Sequence, residues 1–458
     1  MRDLTQGSIA GHLLSMAGFI AISLVVQTAY FVVDLYFVSR LGNAAIAGVS
    51  AAGNIFFLAL AASQLISIGV MALVAQSVGG KDEAAANLYS DQAISMSLLF
   101  AAVMLALGYA FGDDALRAIT ADQATAAQAT AYLFAYLPAL GLMFPVGAMV
   151  SALRGAGVVM PTMVLQTATI ILNAILAPVL VAGLGTGVPL GVAGAGWAST
   201  IAALTGTVVL VYVFPRVQKY LRFHVSRLAP DFAAWRRLIF IGLPTSLEFG
   251  MMFVIFVVLY WVIRHFGAEA QAGVGVGVRI MQMIFLPVMA VAFAAAPIAG
   301  QNFGAKRYDR VRQTFRAAAL YGSAIMLSMS LLVHISPHLL ARPFADDPAA
   351  LAIAGDYLQI ASWAFVFNGL IMTSSSMFQA MGDTRPSFIA SASRLLTFAA
   401  PAIWLSTQPW ATLTHFWLLS IASIVLQCAL SLWLLSRAFR TKLGRASAAP
   451  APIAAAAD

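Results

Sequence analysis

Charge is what this sequence has least of. Only 9% of its 458 residues are charged, against roughly 25% in a soluble domain. A water-soluble fold of this length is thereby excluded, because it would lack the polar surface to stay in solution. A single cysteine is present, Cys428, and it falls in the last apolar run. Neither a disulfide framework nor a cysteine metal site is therefore available. The six histidines show no metal-ligand spacing. No glycine-rich loop ending in Gly-Lys-Ser/Thr occurs, which removes nucleotide hydrolysis as an energy source. No nucleophile, base and orienting group stand together, so an enzyme is not expected and no cofactor is implied. Strand-like alternation is also missing, which argues against a membrane β-barrel.

What fills the sequence instead is hydrophobicity. Hydrophobic residues make up 61% of the chain, and apolar runs recur from residue 13 to residue 438. About 20 apolar residues suffice to cross the hydrocarbon core, where a helix satisfies its own backbone. The runs predict an all-α polytopic membrane protein of twelve transmembrane helices. The spans fall at 13–38, 50–77, 88–111, 128–152, 161–184, 190–214, 236–263, 270–299, 313–336, 351–378, 386–407 and 412–436. The first apolar run is too long for a signal-peptide core and no small-residue cleavage site stands out, so it is expected to be retained.

The net charge of +8 is accounted for by topology, and no nucleic-acid partner is expected. Nineteen of the 25 Lys and Arg fall on one side of this layout. They are Arg2, Lys81, Arg154, six between 215 and 237, five between 306 and 316, Arg385 and four after the last span. Arg40, Arg117, Arg264 and Arg342 fall on the other side, while Arg279 and Arg394 lie within spans. By the positive-inside rule both termini are cytoplasmic. The Ala/Pro-rich tail at 441–458 is expected to be disordered.

The two halves repeat at an offset of 225 residues. Leu41-Gly42 with Ala47-Gly48 matches Phe266-Gly267 with Ala272-Gly273. Gln76, Gly79 and Lys81 match Gln301, Gly304 and Lys306, and Gly157 with Pro161 matches Gly382 with Pro386. Six spans per repeat is an even number, so both halves run the same way through the membrane. This predicts a parallel repeat with a pseudo-two-fold axis along the membrane normal. The expected lobes are 1–214 and 236–440, joined by a basic cytoplasmic linker at 215–235. Two matched bundles suit alternating access, although a static channel or scaffold can also arise by duplication.

Ionisable groups in hydrocarbon cost about 2.5–3.5 kcal/mol on insertion scales and are functional candidates by default. Asp34 lies deep in the first span, and Ser23, Gln27, Tyr30 and Asp34 share one helical face. A carboxylate there can exchange protons, hold Na⁺ or meet a cationic substrate; the structural alternative is a pair with Arg40. Glu248, four residues after Pro244, sits in apolar span seven, where a hydroxyl can also satisfy it. Asn173 in span five and Asn368 in span ten are candidate ligands for an ion or a substrate, or interhelical glue. Gln64, Gln282 and Gln359 read as glue. Tyr30, Tyr36, Phe249, Trp363 and Phe367 are candidates to line a cavity and stack on cations. Arg279 and Arg394 are expected to snorkel or to pair internally.

Several stretches resemble the multidrug and toxic compound extrusion (MATE) family. Pro297-Ile-Ala-Gly-Gln-Asn-Phe-Gly-Ala-Lys-Arg307 is similar to the family's loop after span eight. Val33-Asp34 with Arg40-Leu41-Gly42, Leu172-Asn173, Gly191 to Ala195, and Gly382-Asp383-Thr384 with Pro386 add weaker likenesses across nearly the whole chain. The resemblance implies two six-helix lobes and export of organic, often cationic compounds or drugs against H⁺ or Na⁺. It further implies a monomer in a bacterial inner membrane. Asp34 and Asn173 match positions that bind the coupling ion in the family, so a Na⁺ site at these two is conceivable. Three positions depart from the pattern. Ala177 stands where an Asp is frequent, Phe19 replaces an early proline, and Asn368 replaces an Asp of some members. Ala177 tilts the expected coupling ion towards H⁺. A lipid-linked precursor flippase of the same superfamily and a narrow-substrate metabolite exporter remain the alternatives.

Overall fold

The computed structural model describes residues 3–120, 122–185, 187–217, 221–222, 224, 227–344 and 347–444; at 30–35, 217, 338–339 and 344 it describes the backbone alone. Every long element is helical. Six helices form the first half: α1 (Ile9–Ser39), α2 (Asn43–Gly79), α3 (Glu83–Ile119), α4 (Gln123–Gly155), α5 (Met160–Ala182) and α6 (Val192–Val217). The second half holds α7 (Phe232–Ile263), α8 (Ala268–Gly304), α9 (Tyr308–Ile335), the short α10 (Pro337–Ala341), α11 (Pro348–Ser362) and α12 (Phe365–Ala380). It closes with α13 (Arg385–Arg394), a π-helical turn (Leu395–Ala399), α14 (Ala400–Leu405) and α15 (Leu413–Ala438).

Among the described residues eleven helices are long and apolar enough to cross a membrane, and α11 with α12 makes a twelfth if the bent pair is one span. The protein is a multi-pass membrane protein with the span layout that hydropathy predicts. Span ten is broken. Its helices α11 and α12 meet at a 58° bend, and neither Pro nor Gly stands at Trp363-Ala364. The Trp363 and Ala364 amides donate to the Ile360 and Ala361 carbonyls, a tightening to three-residue turns that redirects the chain.

The chain divides into two compact units. One comprises Met1–Gly250, Leu286–Ala317 and Gln379–Thr384; the other comprises Met251–Phe285, Ala318–Phe378 and Arg385–Asp458. In the first unit α4 packs on α2, α3 and α6, and α5 packs on α6 and α1. In the second unit α15 packs on α11 and α13.

The internal repeat is visible in the backbone itself. Lys81 and Lys306 are the only non-glycine residues with positive φ among those described, at 59° and 57°. Each closes a helix in the same way. The Asp82 amide donates to Ser77 O at 2.9 Å, and the Arg307 amide donates to Asn302 O at 2.8 Å. These six-residue closures satisfy the last carbonyls of α2 and α8. Gly42 and Gly267, and Gly157 and Gly382, repeat the left-handed backbone at the same offset.

At these helix ends, α2 and α8 cross at closest approach. A Cβ on Gly79 would overlap the Gln301 carbonyl, and a Cβ on Gly304 would overlap the Gln76 carbonyl. Two hydrogen bonds bracket the crossing. Gln76 Nε2 donates to Ala380 O at 2.8 Å, and Gln301 Nε2 donates to Gly155 O at 3.0 Å. Each glutamine thus satisfies a carbonyl at the end of the fourth span of the opposite half. The N-terminal segment seals one side: Leu4 N donates to Gln301 Oε1 at 3.1 Å, Asn302 Nδ2 donates to Leu4 O at 3.1 Å, and Arg307 donates to Thr5 O at 2.7 Å.

The segment expected as a linker is docked where it is described. A row on α3 holds it: Asn87 accepts from the Arg222 amide at 2.6 Å, and Asp91 accepts from the His224 ring at 3.2 Å. Gln92 donates to the Arg227 and Ala229 carbonyls at 2.7 and 2.9 Å, and Ser95 donates to Leu228 O at 2.6 Å.

Two predictions follow from this packing. Gly304→Val is expected to destabilise the protein by about 1–3 kcal/mol, the usual cost of overpacking. Gly53→Ala, inside α2 with nothing near its added carbon, should instead stabilise by up to about 1 kcal/mol through better helix propensity, read as thermal unfolding in detergent. The second concerns Asp3. The Thr5 hydroxyl holds its carboxyl below the ordinary range, with the Thr5 amide, Gln6 and Arg307 adding to this and partial burial opposing it. Its contribution is therefore complete above the ordinary aspartate value and is lost as pH falls through the lowered folded value. Hydrogen exchange of residues 4–7 should accelerate across that acidic window in the wild type and lose the pH step in Asp3→Asn.

Candidate functional site

Span five shows how an apolar helix presents one polar atom. α5 opens on Pro161 in its first turn, where a missing N–H costs nothing. Asn173 lies near its middle and is 1% exposed. Its Nδ2 donates to Ser199 Oγ of α6 at 3.1 Å. Its Oδ1 is buried with no hydrogen-bond partner among the described residues. An unmade bond of this kind costs about 1–3 kcal/mol, and the orphaned atom is an acceptor. It suits a cation or a proton donor that arrives transiently. One turn on, Ala177 is fully buried, so no second carboxylate shares that face.

The helix carrying Asp34 packs directly on α5. Asp34 and Tyr30 are helical in backbone, but their side chains lie outside the described residues. Gln27, one to two turns earlier, is half-buried, and Ser23 donates to its own helix at Phe19 O. Helix α1 runs unbroken past Phe19, consistent with the missing proline. Tyr36 is 52% exposed. Arg40 donates to its hydroxyl and stacks over its ring at 4.7 Å. This Tyr–Arg pair anchors the end of α1.

Glu248 belongs to the same unit as Asn173, on α7, where it is half-buried and engaged with a neighbour. Asn368 belongs to the other unit. Its Nδ2 donates to Ala364 O at 3.1 Å, so it fastens the first turn of α12 at the bend of span ten. Among the described residues no group of three His, Cys, Asp or Glu is placed to hold a metal ion.

Arg394 departs from the reading of its sequence. It is the tenth residue of the 21-residue span Arg385–Leu405, with roughly 14–16 Å of helix on either side. An arginine stem is shorter than either stretch, which disfavours snorkelling. Among the described residues no carboxylate pairs with it and its buried Nε has no hydrogen-bond partner; its guanidinium stands over the Phe398 ring at 5.8 Å. An arginine at mid-span was the available signal, and mid-span depth is what separates it from the snorkelling kind.

Comparison with known proteins fits this architecture. A family model, MatE, matches residues 20–179 and again 244–405. The chain belongs to the MATE family of membrane transporters. It is a transporter and not an enzyme. The two matched stretches start 224 and end 226 residues apart, which is the spacing of the repeat. The multidrug export protein MepA of Staphylococcus haemolyticus is 24% identical over 419 residues, 90% of each chain. An FAD transporter of Shewanella oneidensis is 23% identical over 405 residues, 87% of this chain and 88% of that one. Among solved structures, a MATE in the bent conformation superposes with a TM-score of 0.90 at 21% identity, covering 97% of this chain and 98% of the other. A MOP superfamily transporter from Pyrococcus furiosus gives 0.88 at 20% identity, covering 98% and 99%. At such identities the structures establish the fold alone.

Asn173 separates a ligand from a strut. Interhelical hydrogen bonds in membranes average about 0.6 kcal/mol, and Leu at this position would remove the orphaned acceptor. Asn173→Leu should therefore shift unfolding stability by no more than about 1 kcal/mol while abolishing transport. A stable, fully active Asn173→Leu protein would show that the orphaned atom has no role.

Proposed function

We propose that the protein is an ion-coupled antiporter that exports organic, drug-like compounds from a bacterial cytoplasm, with H⁺ as the coupling ion. The observation that carries this reading is the orphaned Asn173 acceptor on α5, against the helix that bears Asp34. A buried amide oxygen left unsatisfied on the helix packed against α1 is worth keeping only if something binds there. Ala177 favours H⁺ over Na⁺. A desolvated Na⁺ takes several oxygen ligands, and the apolar Ala177 withholds one. A proton needs only the carboxylate and an acceptor for its shared hydrogen.

In this mechanism Asp34 alternates between its protonated and charged forms. The lobes 1–214 and 236–440, joined by 215–235, alternate access around a substrate. Glu248 tunes the first unit. Gln27 and Tyr30 continue the polar face of α1 towards Asp34, while Tyr36 lies on another face, with Arg40. A substrate moves this equilibrium only through its different affinity for the two states. The relatives named for multidrug export support drug-like cargo, and their bacterial sources support a cytoplasmic membrane. The positive-inside distribution supports cytoplasmic termini.

The test is ethidium efflux from energised cells, with the pH and Na⁺ gradients collapsed separately. Efflux is expected to stop when the pH gradient falls and to persist without Na⁺. Asp34→Asn is expected to abolish efflux at unchanged expression. Undiminished efflux in that variant, or dependence on Na⁺ alone, would contradict the mechanism.

A further inference from the structure

The second unit holds a half-buried cation, its Nε fully buried, with no counter-ion among the described residues. Arg394 ends α13, and a π-helical turn, Leu395–Ala399, follows at once. Such turns are rare and are frequent at functional sites. Here it carries Phe398, 1% exposed, to the guanidinium. Tyr357 of α11 is the electrostatic neighbour of Arg394, and Tyr260 of α7 is a neighbour of Tyr357 in turn. Tyr357 stacks edge-on to Trp417 with ring centroids 4.7 Å apart. Two glycines of α8 leave room for the tyrosines: a Cβ on Gly277 would overlap the Tyr357 ring, and one on Gly275 would meet the Tyr260 hydroxyl at 3.4 Å. Tyr260 is 37% exposed while Tyr357 is nearly buried. Asp356, next to Tyr357 in sequence, is exposed.

An unpaired charge at mid-span is costly. The burden is unlike that of an interfacial arginine, because depth puts lipid headgroups out of reach. A guanidinium is a planar fork that matches a carboxylate. The Tyr357 hydroxyl, its neighbour, is a further donor to an anion, and Phe398 and Trp417 add aromatic surface. We propose that Arg394, with Tyr357, forms a binding site in the second unit for an aromatic carboxylate. Joined to the exporter reading, on which its transport consequence rests, the site extends the cargo from organic cations to aromatic acids and zwitterions.

The test is equilibrium binding to the purified full-length protein in detergent, by calorimetry, using 1-naphthoate and its neutral amide, 1-naphthamide. The wild type is expected to bind naphthoate at least tenfold more tightly than the amide. Arg394→Gln should weaken naphthoate at least tenfold and leave naphthamide within twofold. Arg394→Lys should recover part of the loss. If Arg394→Gln does not fold, Tyr357→Phe removes one hydroxyl only, and it should weaken naphthoate several-fold without affecting the amide. Equal affinity of the wild type for both probes, no naphthoate binding, or naphthoate affinity indifferent to these substitutions would overturn the site. Binding is read without any ion gradient, so a failure of ion-coupled export and a failure of this site are separable.

Discussion

The crossing of α2 and α8 is the constraint on which the first unit depends. Gly79 and Gly304 let two backbones meet where any side chain would collide. In a membrane the hydrophobic effect gives helices no reason to associate, so close approach and internal hydrogen bonds must do so. Gln76 and Gln301 supply those bonds, each reaching the last carbonyls of the opposite half's fourth span. The two contacts are equivalent at an offset of 225 residues, and so are the helix closures at Lys81 and Lys306. A duplicated chain obtains a self-complementary joint in this way, as a two-fold dimer does at its interface.

The span layout and the repeat were legible in the sequence, because each depends on composition or on identities at a fixed spacing. Gln76 and Gln301 were visible as matched residues. That each bonds to the other half's carbonyl was not, since a repeat shows equivalence and not which copy contacts which. The bend of span ten was hidden for a different reason. It is made by two shortened hydrogen bonds at Trp363 and Ala364, with no proline to announce it. Asn368 was legible as polar at mid-span, either a ligand or glue; the bond of its amide nitrogen to the carbonyl at that bend was not, because the bend itself has no sequence mark. The contact of Tyr36 with Arg40 was not legible either, since sequence does not show which neighbour a side chain meets.

Two unsatisfied polar atoms in membrane-spanning helices carry the functional reading. Among the described residues, Asn173 Oδ1 is an acceptor without a donor in the first unit, and Arg394 Nε is a donor without an acceptor in the second. Nearly all buried polar groups in proteins find a partner, and lipid offers no water to excuse an exception. Opposite needs of this kind are what a transporter requires of sites that must fill and empty. A site satisfied by its own protein would hold nothing, and one satisfied too well by its ligand would not release it.

Proton exchange is the central claim, and it is most directly tested in proteoliposomes with a pH-reporting dye in the lumen, in Na⁺-free buffer. An inward ethidium gradient should drive protons out, so the lumen should become alkaline as the dye enters. A lumen pH that stays flat while ethidium enters, or a rise that appears only when Na⁺ is supplied, would contradict proton-coupled antiport.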